Sequence, residues 1–168
     1  MDHLWSPWRL EYILAPKIEQ TCVFCQKPAA SSDRSEHILV RGQTAYITLN
    51  RYPYNNGHLL VVPYVHVASL EDLPPEALLE VMVLVNQGLA ALRLALRPQG
   101  FNVGVNLGKV AGAGIENHVH LHVVPRWGAD TNFMTTVAET RTIPESLDQT
   151  YARLSVALAT LASQTAVV

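Results

Sequence analysis

The stretch His118-Val119-His120-Leu121-His122-Val123-Val124 alternates imidazole with apolar side chains. Strict alternation is the period of a strand whose two faces meet different surroundings. Read as a strand, Val119, Leu121 and Val123 enter the core, and His118, His120 and His122 line the opposite face. Successive imidazoles on that face are spaced by roughly 6.6 Å, two residues of about 3.3 Å rise. Two chemistries explain such a row better than packing does. A His-x-His pair on a strand can chelate zinc, or one imidazole can react while its neighbours orient and polarise it.

The residues before the row are Gly108-Lys109-Val110-Ala111-Gly112-Ala113-Gly114-Ile115. Glycines let backbone N–H groups approach an anion and adopt the positive φ angles of an anion nest. Beside a histidine row, this loop suggests a phosphate held next to a nitrogen nucleophile.

The row fits the pattern His-φ-His-φ-His-φ-φ, with φ apolar, and here the sequence resembles the histidine triad (HIT) superfamily of nucleotidyl hydrolases and transferases. The resemblance extends to Asn50 through Pro63, with its Pro53-Tyr54-Asn55-Asn56-Gly57-His58 turn, and to Phe101 through Gly108. Pro125 to Phe133 resembles the bacterial branch related to diadenosine tetraphosphate phosphorylases and fragile-histidine-triad hydrolases. The likeness runs from about Trp5 to Tyr151. It implies a five-stranded antiparallel sheet with helices and a homodimer.

Composition narrows the partners. A formal net charge of −2 over 168 residues gives no electrostatic case for nucleic-acid or membrane binding. Anion-binding groups must then be local. Met1-Asp2-His3 does not begin as a secretory leader does, and the apolar Leu78 to Leu96 region is interrupted by Glu80, Asn86, Gln87 and Arg93. With two cysteines only, no disulfide framework is indicated, and the expected compartment is the cytoplasm.

The length predicts a single domain over 1–168. An N-terminal segment, 1–20, carries Trp5 and Trp8 and reads as a docking strap. His37 to Val40 and Thr44 to Leu49 form a hairpin pattern around Arg41-Gly42-Gln43, and His58 to Val62 is a third strand. From Pro74-Pro75 the period changes: Leu78, Met82, Val85, Leu89, Leu92 and Leu96 recur at steps of four and three, an amphipathic helix ended by Pro98 and Gly100. Phe101 to Leu107 and His118 to Pro125 return to strand character. Thr142-x-x-Glu145 has capping-box spacing before a C-terminal helix at about 144–163. The order βββαββα predicts an α+β fold with a mainly antiparallel sheet, a long central helix and a C-terminal helix.

Cys22-Val23-Phe24-Cys25 is a second constellation. Alone, a Cys-x-x-Cys is half a zinc site, a redox pair or chance, and zinc would need two more ligands from His37, His58, His66 and His118. Resemblance to zinc-bearing HIT members implies a structural zinc on Cys22, Cys25, His66 and His118. It likewise implies that the middle histidine, His120, is the nucleophile. His122 and Asn106 would hold α-phosphate oxygens, and Gly112 and Gly114 would add backbone N–H contacts. Asn50 and His58 match the family's nucleoside-side and phosphate-side positions.

The activity implied is cleavage of a dinucleoside polyphosphate, such as diadenosine tri- or tetraphosphate, through a nucleotidyl-His120 intermediate. Phosphate resolving it makes a phosphorylase, and water a hydrolase. The alternatives are a nucleoside phosphoramidate hydrolase and a non-catalytic nucleotide sensor. No organic cofactor is expected.

Overall fold

A computed structural model of the chain describes residues 22–128, 130 and 143–165. The 1–20 aromatic segment, most of the 129–133 tail and Thr142 lie outside these residues.

Two short helical turns, α1 (Val23–Gln26) and α2 (Asp33–Glu36), lead into β1 (Ile38–Arg41) and β2 (Ala45–Leu49). There follow β3 (Leu59–Pro63), the 22-residue helix α3 (Pro75–Leu96), β4 (Gly100–Val105), β5 (Leu121–Arg126) and helix α4 (Leu147–Thr165). The fold is α+β. All strand pairs are antiparallel, in the order β1-β2-β3-β5-β4, with an irregularity between Ile38 and Val40 on the β1 edge.

Alternation divides the sheet into two faces. Ala45, Ile47, Leu49, Leu59, Val61, Leu121 and Val123 form the main core with α3 and α4. From the same strands Ile38, Tyr46, Leu60 and Val62 face the other way and pack with Phe24. Thr48 pairs with Leu60, and Leu60 with His122, so these three occupy one cross-strand row. The second face carries the site.

The phase of α3 differs from the large-residue stripe. Its inward side is Ala77, Val81, Leu84, Val85, Gly88, Ala91 and Leu92, whereas Leu78 and Met82 are exposed. Small residues allow closer approach: a Cβ on Gly88 would stand 3.1 Å from Leu59 Cδ1. By length and hydropathy α3 could cross a bilayer, but here it packs on β2, β3 and β5. It ends where Arg97 turns to φ 51°, just before Pro98.

Two further expectations are corrected. Hydrogen-bonded pairing in β5 begins at Leu121, not His118, because Val119 N–H donates to Val67 O at 2.7 Å in a loop instead. The capping box of α4 is Ser146-x-x-Gln149. Gln149 N–H donates to Ser146 Oγ at 3.3 Å, and Ser146 N–H donates to Gln149 Oε1 at 3.0 Å. Glu145 accepts from Asn56, Thr150 and Arg153.

Candidate active site

A cavity of about 840 Å³ opens over the second face of the sheet, a volume suited to a small organic ligand. His120 and His122 form one part of its wall with Gly112, Gly114, Asn50 and Tyr54. Phe24, Leu49, Leu60 and Ile115 make the apolar wall, and Lys27, His37 and Asp148 lie around the remainder.

Each histidine's ring protons follow from its partners. His120 Nδ1 lies 2.9 Å from His118 O. A carbonyl only accepts, so Nδ1 carries the proton and Nε2 keeps a lone pair. Phe24 packs against this ring with centroids 4.8 Å apart. His120 is only 6% exposed. Burial lowers its pKa, keeping the ring neutral.

His58 and His122 form a directed chain. Tyr54 N–H donates to His58 Nδ1 at 3.1 Å, and Asn50 Nδ2 lies 3.3 Å from the same nitrogen. His58 must therefore hold its proton on Nε2, which donates to His122 Nδ1 at 2.9 Å. His122 in turn carries its proton on Nε2. That buried atom has no hydrogen-bond partner among the described residues. A buried donor left unpaired is costly, and a ligand oxygen would satisfy it. Burial first, and then neighbouring imidazoles, push His58 down to about 3 and His122 to about 4. Both rings are thus neutral at pH 7. Their centroids lie 5.1 Å apart, and those of His120 and His122 lie 4.9 Å apart.

His118 turns away from this chain. Its Nε2–H donates to Pro63 O at 2.8 Å, so the Nδ1 lone pair faces Cys22, Cys25 and His66. Cys22 Sγ, Cys25 Sγ and His66 Nδ1 lie 3.3, 3.5 and 3.2 Å from it, and all four ligand atoms are within 4.8 Å of one another. A tetrahedral ion with Zn–N and Zn–S bonds of about 2.0 and 2.3 Å would set its ligand atoms roughly 3.3–3.7 Å apart. The donor set therefore fits zinc.

Of the residues singled out in the sequence, Asn50, Gly112, Gly114, His120 and His122 border the cavity, and His58 stands behind His122. Asn106 does not line it. It follows β4, with its amide 3.9 Å from where a Gly112 Cβ would be. Gly108 and Gly112 adopt φ 78° and 91°, as an anion-nest loop requires. Sequence reasoning missed Phe24, Lys27, Tyr54, His37 and Asp148. Phe24 lies inside the Cys-x-x-Cys span and was findable as its apolar residue. Tyr54, whose ring lies nearly parallel to that of His122 at 5.6 Å, gave no signal of its own.

An imidazole lone pair beside an imidazole N–H, both facing a cavity with apolar walls, defines a nucleophile-and-donor site of the kind used for transfer at phosphorus. The HIT domain family matches residues 32–128. The chain belongs to that family of nucleotide-binding hydrolases and transferases and is a HIT-type enzyme. It is 39% identical over 157 residues to AP-4-A phosphorylase of Mycobacterium tuberculosis, covering 89% of this chain and 80% of the relative. It is 30% identical over 109 residues to the adenosine 5′-monophosphoramidase HNT1 of Saccharomyces cerevisiae, covering 65% of each chain. The structure resembles that of a zinc-bound histidine triad family protein from Mycobacterium smegmatis, with a TM-score of 0.70 and 30% identity over 86% of this chain and 97% of that one.

Proposed function

We propose that the enzyme cleaves dinucleoside polyphosphates such as diadenosine tetraphosphate at the α-phosphate, through a covalent nucleotidyl-His120 intermediate. The observation that carries this reading is the ordering of ring protons: a lone pair on His120 Nε2 beside an N–H on His122 Nε2 that has no partner among the described residues. His120 Nε2 attacks the α-phosphorus. The P–N bond forms as the bond to the bridging oxygen breaks, and the leaving polyphosphate departs with its negative charge. Positive charge developing on the imidazole is met by His118 O at Nδ1–H, and His122 Nε2–H donates to a non-bridging oxygen. Phosphate or water then displaces the imidazole from phosphorus. The former yields a nucleoside diphosphate and the latter a monophosphate. The Gly112 and Gly114 backbone holds the phosphates, and Asn50 sits on the nucleoside side. Likeness to the AP-4-A phosphorylase favours phosphate as acceptor.

The four-residue cluster holds a structural zinc in this reading, supported by the donor geometry and by the zinc-bound relative. Such an ion braces the chain, because four protein ligands leave no open position for substrate. We also take the chain to be a homodimer acting in the cytoplasm.

Likeness to HNT1 supports a second reading, hydrolysis of nucleoside phosphoramidates by the same His120 chemistry. Product analysis separates the two. Diadenosine tetraphosphate incubated with phosphate should give ADP and ATP, and without it AMP and ATP. Turnover of an adenosine phosphoramidate with an inert dinucleotide would replace the first reading with the second. Binding of nucleotide with no turnover of either substrate would leave a sensor.

A further inference from the structure

The cavity is chemically polarised. One end carries the His122 donor and the exposed glycine loop. The row His122, Leu60, Thr48 leads away from it, from β5 through β3 to β2, and β1 begins beyond at Ile38. Three strand spacings of about 4.8 Å put that edge roughly 14 Å from His122. A nucleoside 5′-phosphate spans this distance when a hydrogen bond is added at each end.

At this far end lies a pair of side chains that the chemistry above does not use. His37 Nε2 is 3.2 Å from Asp148 Oδ1, and both residues line the same cavity as His120. Three elements fix the pair. His37 closes α2 with φ 55°, its carbonyl accepts from Leu49 N–H at 3.0 Å, and its ring meets Tyr151 edge-on at 5.9 Å. Tyr151, one turn along α4 from Asp148, donates its hydroxyl to Ile38 O at 3.2 Å. An acid in the first turn of a helix is common for reasons of dipole alone. Here the same acid is also held by a histidine and borders the cavity, its side chain 74% exposed at the rim. Only Oδ1 of Asp148 has a partner among the described residues, which leaves Oδ2 able to accept.

The charges around this end select what can enter. Glu36 and Asp148 are both among the lining residues. Lys27 offers little to a ligand anion, because its ammonium is turned into the wall, donating to Glu36 O at 2.5 Å and lying 3.3 Å from Thr48 Oγ1. Its aliphatic stem is what remains for the ligand side. Arg51 is exposed and also borders the cavity. A phosphate belongs at the imidazole end, and an uncharged ring over Phe24, Leu49 and Leu60 would bring its far edge to Asp148.

We propose that Asp148, oriented by His37, reads the base of the bound nucleotide by accepting a hydrogen bond from its exocyclic amine, so that the site prefers adenine to hypoxanthine. The proposal rests on the nucleotide site proposed above and adds its base specificity. Adenine carries an amine donor where hypoxanthine carries a carbonyl, and a carboxylate facing that carbonyl sets two acceptors against each other. His37 is a positioning residue. The carboxylate touches the ligand.

The test is calorimetric titration of the zinc-loaded full chain with AMP and with IMP. The wild type should bind AMP about tenfold more tightly than IMP, a contact of about 1.4 kcal/mol for a partly solvated carboxylate. Asp148→Asn, whose amide can donate to the hypoxanthine carbonyl, should bring the two affinities within about threefold, chiefly by strengthening IMP, because its Oδ1 can still accept from adenine. His37→Asn keeps a residue tolerant of the left-handed backbone and should reduce the preference without inverting it. Equal affinities in the wild type, or an unchanged preference in Asp148→Asn, would overturn the proposal while leaving the nucleotide site standing. Binding of neither nucleotide by a folded wild type would overturn both.

Discussion

Replacing His58 tests the ordering of ring protons most directly. This buried imidazole fixes the His122 tautomer through a 2.9 Å hydrogen bond and contacts the solvent hardly at all, being 1% exposed. His58→Leu keeps most of the volume and removes the donor. His122 Nδ1 then loses its partner, and the imidazole gains its other tautomer, in which Nε2 has no proton to offer a phosphate. A net hydrogen bond of about 1–2 kcal/mol holds the present choice, so kcat should fall about 5- to 30-fold. KM should change little, since the loss falls mainly on charge that develops in the transition state. His58→Gln places an amide N–H at nearly the same reach and should recover much of the rate. Steady-state kinetics on diadenosine tetraphosphate, with circular dichroism to verify folding, measures both. A folded Leu variant with wild-type kcat, or a Gln variant no better than Leu, would refute the reasoning.

The same burial predicts acid sensitivity. His58 and His122 titrate near 3 and near 4 when folded, against about 6.5 unfolded. The unfolded chain therefore takes up more protons below pH 6.5. Their contribution is complete above pH 6.5 and is lost as pH falls through the folded values, with a slope of up to about 1.4 kcal/mol per pH unit for each imidazole. Urea melts from pH 7.5 to 4.5 should show this slope, made shallower by His58→Leu. His120→Ala should abolish turnover, and its melting temperature should drop by several degrees because the ring is buried against Phe24 (a loss of about 1–3 kcal/mol). Intact-mass analysis should find an adenylyl group on the wild type and none on this variant. Metal analysis should return one zinc per chain, and chelation should lower the melting temperature more than it changes kcat of the protein that remains folded. Light scattering at tens of micromolar should give a dimer. Met82→Glu and Leu79→Glu, on the exposed side of α3, should shift it toward monomer, and a wild-type monomer would remove the assignment.

What could be read from the chain depended on whether the signal was local. The histidine alternation and the order of elements along the chain are patterns of residue type and spacing and reappear in the structure, whereas the two imidazoles beside the cysteine pair follow from resemblance to the HIT superfamily. The stripe of large residues on α3 predicts Leu78 and Met82 in the core with Val85 and Leu92, whereas Ala77, Gly88 and Ala91 face the sheet and Leu78 and Met82 do not. When a helix lies close to a sheet, volume selects against leucine on the inner side. Pairing of His58 with His122, and of His37 with Asp148, joins residues 64 and 111 positions apart. No periodicity encodes such contacts; the β3–β5 register brings the first pair together, and packing of α4 against β1 the second. The start of β5 was placed early because Val119 continues the apolar alternation although its N–H pairs outside the sheet.

The two-faced sheet has a consequence for how such a chain can change over generations. In β3 and β5, Leu59, Val61, Leu121 and Val123 face the helices, while Leu60, Val62 and His122 face the ligand side. Insertion of one residue within β5 would rotate every later side chain to the wrong face, putting imidazole under α3 and valine over the phosphate. Length changes there are tolerated only in pairs. An odd residue can be absorbed instead at the β1 edge, between Ile38 and Val40, where the register is already broken and two strands separate it from His122. Descendants of this sequence should therefore vary in length near Leu39 and in the loops, and hold β5 to a fixed parity.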